Sequence, residues 1–249
     1  AAERAGYTQR DIVVVDTHII VDPADPTFAQ PIKPIGRAGP DGTRLRVPSP
    51  RPLALFAGDV EQIYWALRAG RIVVAGGGGG IPLIAAEEAG RVPAALVDRG
   101  YVVRHGGRTF YGVRGVVDKD RTTALLTEAL ESWGLAMLVM KIATEHPVTR
   151  DFGTDHAAPA EVMTVSEAEA FHVAQMASPN RQPYAGSMGP KLEAAIEFLR
   201  GRGQAAWIGG TWVVPDPPAG RHPEEMLRPA SVVRAELVSR PLPLIGTGL

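Results

Sequence analysis

The sequence predicts a layered α/β fold built on parallel strands, and three observations carry that expectation. Short β-branched runs, Ile12 to Val15 and Arg71 to Ala75, read as strands buried on both faces, as in parallel sheets. Helical patterns alternate with them, in the order strand, helix, strand, glycine loop, helix, strand, which right-handed crossovers produce. The second run leads directly into Gly76 to Gly80, at the carboxyl end of a strand, where open α/β sheets bind ligands.

Taken in order, the first run is followed by Asp22-Pro23-Ala24-Asp25-Pro26 and then prolines at 31, 34, 40, 48, 50 and 52. No regular helix or central strand survives that density. Residues 22–52 therefore read as an ordered protruding loop or small subdomain, with a disordered linker as the alternative. A helix is expected over 58–69, with Asp59 near its start and Gly70 as C-cap. Short strands at 95–97 and 101–103 lead into a hairpin around Gly106-Gly107. A helix over 120–132 precedes a strand over 135–140, and Thr164 opens a helix over 165–176. A last helix begins at Lys191 and ends near Gly201, followed by a strand at 205–208. Trp133, Met137, Leu138 and Met140 read as core. Pro215 to Pro223 holds four prolines in nine residues. The chain is thus divided into a domain over 1–212 and a Pro-rich surface extension over 213–249, with a short helix near 224–227 and a strand near 231–238.

Composition narrows the function classes. The 249 residues carry 26 Lys+Arg against 27 Asp+Glu, and a neutral surface does not attract nucleic acid or anionic membrane. There is no cysteine, so disulfides, thiolate–metal sites and cysteine nucleophiles are excluded. No apolar run approaches the ~20 residues of a membrane span, and no signal-peptide pattern opens the sequence; a cytoplasmic protein is expected.

Three motifs bear chemistry. Gly76, Gly77, Gly78, Gly79 and Gly80 let backbone amides approach an anion, or form a tight turn; neither a dinucleotide fingerprint nor a Walker A loop is present. Val116-Val117-Asp118-Lys119-Asp120 stands before a helix, where an aspartate caps, and where two carboxylates flanking a lysine can hold Mg²⁺ or aim an ammonium group at a phosphate. Gly186-Ser187-Met188-Gly189-Pro190 builds a helix N-terminus suited to anions. Lys191, against the helix dipole there, is either solvated or partnered by a phosphate. His146 and His156 flank Asp151 and Asp155, but their spacing fits no standard metal-binding pair, and no metal site is assigned.

Residues 11 to about 210 resemble the carbamate kinase family of the amino-acid kinase superfamily. The resemblance rests on Val21 to Phe28, Lys33-Pro34-Ile35-Gly36, Val47 to Pro50, Ala75 to Pro82, Val117 to Asp120 and Ala185 to Ala195. It implies a three-layer αβα sandwich with an open, mainly parallel sheet. It also implies a phosphotransferase interconverting ATP plus carbamate and ADP plus carbamoyl phosphate with Mg²⁺. In that reading the glycine loop, with Gly186, Ser187 and Met188, binds phosphate or substrate. Asp120 organises the catalytic lysines, Lys119 and Lys191 face the transferring phosphoryl group, and Lys33 closes over the site from the protruding subdomain.

The sequence departs from the family in four places. A first strand ending in Gly-Gly-Asn-Ala-Leu and a Gly-Asn-Gly-Pro-Gln loop are absent, so the fold is expected to be incomplete at the N-terminus, lacking the family's first third. Lys141 to Pro147 replaces the usual Thr-Asp-Val near the adenine. His18 stands where a glutamine is usual, and the chain beyond Thr211 differs. Two readings stay open: an active kinase whose missing lobe is supplied by another chain, or a degenerate subunit that binds or scaffolds within a carbamoyl-transfer complex. Both imply a homo- or hetero-oligomer, because an incomplete sheet exposes an edge and an apolar face.

Overall fold

A computed structural model describes residues 8, 11–135, 139–151, 154–179, 184, 187–201 and 203–231. Strand β1 (Ile12–Val15) is followed by β2 (His18–Val21), then by the short ribbon β3 (Lys33–Ile35) and β4 (Leu45–Val47), and by β5 (Pro52–Leu55). Helix α1 (Ala57–Arg68), β6 (Ile72–Ala75), β7 (Ile81–Ala85), β8 (Val97–His105) and β9 (Arg108–Val113) complete the first half. The second half runs α2 (Lys119–Ser132), β10 (Val139–Ile142), β11 (Thr149–Arg150), β12 (Ala158–Pro159), β13 (Val162–Thr164), α3 (Val165–Ala177), α4 (Met188–Arg200), β14 (Ala205–Ile208) and β15 (Thr211–Val214).

The fold is α/β, as the sequence predicts, with a difference in how the strands pair. Among the described residues β1–β6, β2–β7, β10–β14 and β13–β15 are parallel, while the other six pairs are antiparallel. Tight glycine turns cause the mixing. Gly106 and Gly107, at φ 55° and 74°, make a two-residue turn between β8 and β9 that matches strand twist. Gly209 and Gly210 likewise fold β15 back on β14. The larger sheets run β5-β2-β7-β9-β8 and β10-β14-β15-β13.

The β1–β6 pair also departs from the both-faces-buried reading. Val15 is buried, and Val13, Val73 and Ala75 pack beside it against the core shared by α1 and α2. Val14 and Val74, on the other face, are 70% and 49% exposed. A run of β-branched residues reports strand propensity, and it says nothing about how many faces are covered.

Helix limits follow their caps. The Asp118 side chain accepts from the amides of Asp120 and Arg121 at the start of α2, and Thr164 with Glu167 forms a capping box on α3. Helix α4 starts at Met188, earlier than the expected Lys191, because Pro190 lies in a first turn whose amides need no helical partner. Met140 is core, whereas Trp133 is 41% exposed and packs edge-on against Tyr64 at 5.3 Å. Met137 and Leu138 lie outside the described residues.

Residues 22–52 are tied at their base. The Asp25 carboxylate accepts from the amides of Thr27 and Arg51, the Asp22 backbone amide donates to the Arg51 carbonyl, and Phe28 is buried. The ribbon β3–β4 stands out from that base, with Leu45 70% exposed. At the other end, Val213 and Val214 are fully buried in β15, so the central sheet runs past residue 212. The expected helix near 224–227 lies in a 3₁₀ segment, Pro223–Ser231, and the expected strand near 231–238 falls outside the described residues beyond Ser231.

Leu192 on α4 is fully buried in the cluster that includes Met140, Ile208 and Val213. Leu192→Ala should lower unfolding free energy by about 2–5 kcal/mol in urea titration. Val14→Thr, on the exposed face, should stay within about 0.5 kcal/mol.

Candidate functional site

The site is assembled from the N-terminal turns of α2 and α4 and from the loop between β6 and β7. The carboxylate of Asp120, on a residue only 6% exposed, accepts from Lys191 Nζ at 2.7 Å and from Lys119 Nζ at 3.2 Å through the same oxygen. Arg121 pairs with Glu193, a second link between the two helix starts. Lys33 Nζ comes down from β3 to Asp118 Oδ2 at 3.4 Å. Four residues named from the sequence (Lys33, Lys119, Asp120 and Lys191) are thereby brought to one corner.

Burial works to raise the Asp118 carboxyl, but Lys33 and the amides of Asp120 and Arg121 outweigh it and hold it below the ordinary 3.8. For Lys119, burial favours the neutral amine, and the Asp120 carboxylate more than offsets it, so the ammonium is held above its usual range.

The glycine loop packs on this corner. Gly76 and Gly77 have φ of 76° and 48°, and Gly79 has φ 131°, conformations that only glycine adopts without strain. A Cβ at Gly79 would stand 1.9 Å from the Val117 carbonyl oxygen, so the loop touches the residue just before the Asp-Lys-Asp motif. Thr122 Oγ1 donates to the Gly79 carbonyl at 2.7 Å, tying the loop to α2. A cleft of about 320 Å³ opens between this loop and Asp16, Thr17, Gly115 and Val116.

Ser187 and Met188 lie elsewhere. They line a separate, largely apolar cavity of about 280 Å³ with Thr144, His146, Pro147, Thr149, Phe171, Gln175 and Tyr184. They are joined to the cation cluster only through α4, on which Lys191 follows Met188 by one turn. Gly186 falls outside the described residues. Among the described residues no group of three or more His, Asp or Glu is arranged to hold a metal ion. Thr17 and Thr122, which anchor the glycine loop, were not singled out by sequence; a lone threonine carries no spacing signal.

No family model matches the chain. It is similar to the carbamate kinase of Haemophilus influenzae, 32% identical over 213 residues, covering 78% of this chain and 57% of that protein. It is likewise similar to the carbamate kinase of Thermoplasma volcanium, 30% identical over 225 residues, covering 82% and 63%. The chain thus spans about three fifths of the length of the curated relatives it matches. Among solved structures, one from Aeropyrum pernix K1 superposes with a TM-score of 0.62 at 29% identity, covering 86% of this chain and 69% of that one. The carbamate kinase from Giardia lamblia bound to AMP-PNP superposes with a TM-score of 0.59 at 26% identity, covering 82% and 62%.

Because the Asp118 carboxyl is depressed when folded, its contribution is present above the ordinary carboxylate range and is lost as pH falls through its folded value. Asp118→Asn keeps a cap but not the Lys33 ion pair. It should cost about 1 kcal/mol near neutral pH, with the difference from the parent protein closing in acid, read from urea midpoints across pH.

Proposed function

Since the chain is a homologue of the carbamate kinases, we propose that its lysine corner carries a phosphoryl group between an acyl phosphate and a nucleotide, as carbamoyl phosphate plus ADP to carbamate plus ATP or the reverse. The observation that supports this most is the shared Asp120. One carboxylate holds two ammonium groups close together, and it cannot neutralise both.

Phosphoryl transfer passes through a state whose charge is spread over equatorial oxygens, so positioned cations do most of the work. Lys191 and Lys119 would face the transferring group, and Lys33 would add a third cation from the ribbon. The amides of Gly76 to Gly80 would receive the acyl phosphate. The apolar cavity at Met188, Phe171 and Tyr184 is the right size and character for a nucleotide base, and Mg²⁺ would arrive with the nucleotide's phosphates. A cytoplasmic setting suits this chemistry.

A second reading, a binding or scaffolding subunit without turnover, is favoured by Lys141 to Pro147, where the family's Thr-Asp-Val is replaced. The exposed Val14–Val74 face supports an assembly in either case, either a homo-oligomer or a complex with a chain that completes the sheet.

Purified protein given ADP, Mg²⁺ and carbamoyl phosphate should form ATP, alone or with its natural partner. Lys191→Ala should lower kcat by about 10²–10³-fold. No ATP under both conditions sinks the kinase reading, and micromolar ATP binding lost in Lys191→Ala argues against the scaffold. Light scattering should return a mass of two chains or more; a clean monomer contradicts the assembly.

A further inference from the structure

Both ends of the glycine loop are held by one residue. Thr17 Oγ1 accepts from the Gly76 amide at 2.8 Å, and the Thr17 carbonyl accepts from the Ile81 amide at 2.8 Å. The hydroxyl donates in turn to the Val15 carbonyl at 3.1 Å. A Cβ at Gly80 would meet the Thr17 carbonyl oxygen at 2.8 Å and Ile19 at 2.6 Å, so the floor of the loop is the segment from 17 to 19.

The middle residue of that floor is His18, and it is fastened from outside. Its backbone amide donates to Asp59 Oδ2 at 2.6 Å, its ring Nδ1 lies 2.9 Å from the same oxygen, and its Nε2 lies 2.7 Å from the Tyr101 hydroxyl. Its carbonyl accepts from the Phe56 amide at 2.9 Å. Asp59 is 6% exposed in the first turn of α1, where a carboxylate is favoured by the helix dipole. The carboxylate only accepts, so Nδ1 carries a proton, and in the neutral ring Nε2 accepts from the tyrosine. Burial, then Asp16 and Asp59, raise the Tyr101 phenol, which keeps its proton for that bond.

We propose that His18 is a positioning residue for the glycine loop: through Asp59 and Tyr101 it fixes Thr17, and Thr17 fixes the amides of Gly76 and Ile81. His18 reaches no transferring group itself. The consequence for acyl-phosphate affinity rests on the function proposed above, whereas the positioning does not.

Amide hydrogen exchange tests the positioning without any turnover. In His18→Ala the Gly76 and Ile81 amides should exchange about tenfold faster than in the parent protein, with the β14 amides unchanged. His18→Asn places an amide nitrogen where Nδ1 stands, keeps the Asp59 bond and should restore the parent rates to within about threefold. His18→Gln reaches towards Tyr101 instead and should not. Parent rates at Gly76 and Ile81 in His18→Ala overturn the proposal. So does acceleration that includes β14, and so does an asparagine no better than alanine. If His18→Ala does not fold, Tyr101→Phe, which removes only a hydroxyl, carries the test, and unchanged exchange there also overturns it. With active protein, His18→Ala should raise KM for carbamoyl phosphate and leave kcat within about twofold, since the lysines are untouched. Absence of turnover in the parent protein would defeat the kinase reading and leave the exchange result standing.

Discussion

Everything at the candidate site depends on one buried carboxylate accepting from two ammonium groups. Asp120 sits in the first turn of α2, where negative charge suits the helix dipole, and Lys191 sits in the first turn of α4, where positive charge does not. Their bond at 2.7 Å reconciles the two helix starts and brings them together at one point. Removing the carboxylate would leave two cations crowded at two positive helix ends. Removing Lys191 would leave a buried aspartate with a half-exposed partner, Lys119.

Around that bond the glycine loop is keyed rather than merely adjacent. Gly79 lies so close to the Val117 carbonyl that any side chain would displace one of the two segments. Thr122 and Thr17 bind the loop from opposite sides, the first from α2 and the second from the strand floor. A loop of five glycines, which alone would be among the most entropically costly segments to order, is thus fixed at both ends and in the middle.

Much of this was legible in the sequence, unevenly. The helices over 57–68, 119–132 and 165–177 lie within a residue or so of their expected limits, because Asp118, Thr164 and Gly70 are local signals. Asp118, Lys119 and Asp120 stand out as two carboxylates flanking a lysine before a helix, Lys191 as a lysine set against its helix dipole, and Lys33, on a strand, only through the family resemblance. What was not legible depends on distant pairing. The exposed face of Val14 and Val74, and the exposed Trp133, are set by what lies across the sheet or helix, which no local pattern encodes. Ser187 and Met188 read as phosphate- or substrate-binding because they belong to a helix N-terminus suited to anions, yet they line a different cavity from the one at the glycine loop. His18 is visible in the sequence as an odd residue, while its links to Asp59 and Tyr101, 41 and 83 positions away, are not.

The ribbon that bears Lys33 gives the corner a property its composition does not have. With Lys33 against Asp118, three ammonium groups, Lys33, Lys119 and Lys191, face two carboxylates, and the corner is net positive. Without it, two face two, and the corner is neutral. Lys33 is the member of the set carried on an outstanding two-stranded hairpin rather than on a packed helix. The net charge of the corner is therefore set by where the hairpin places Lys33, so that shape acts here as a variable of electrostatics.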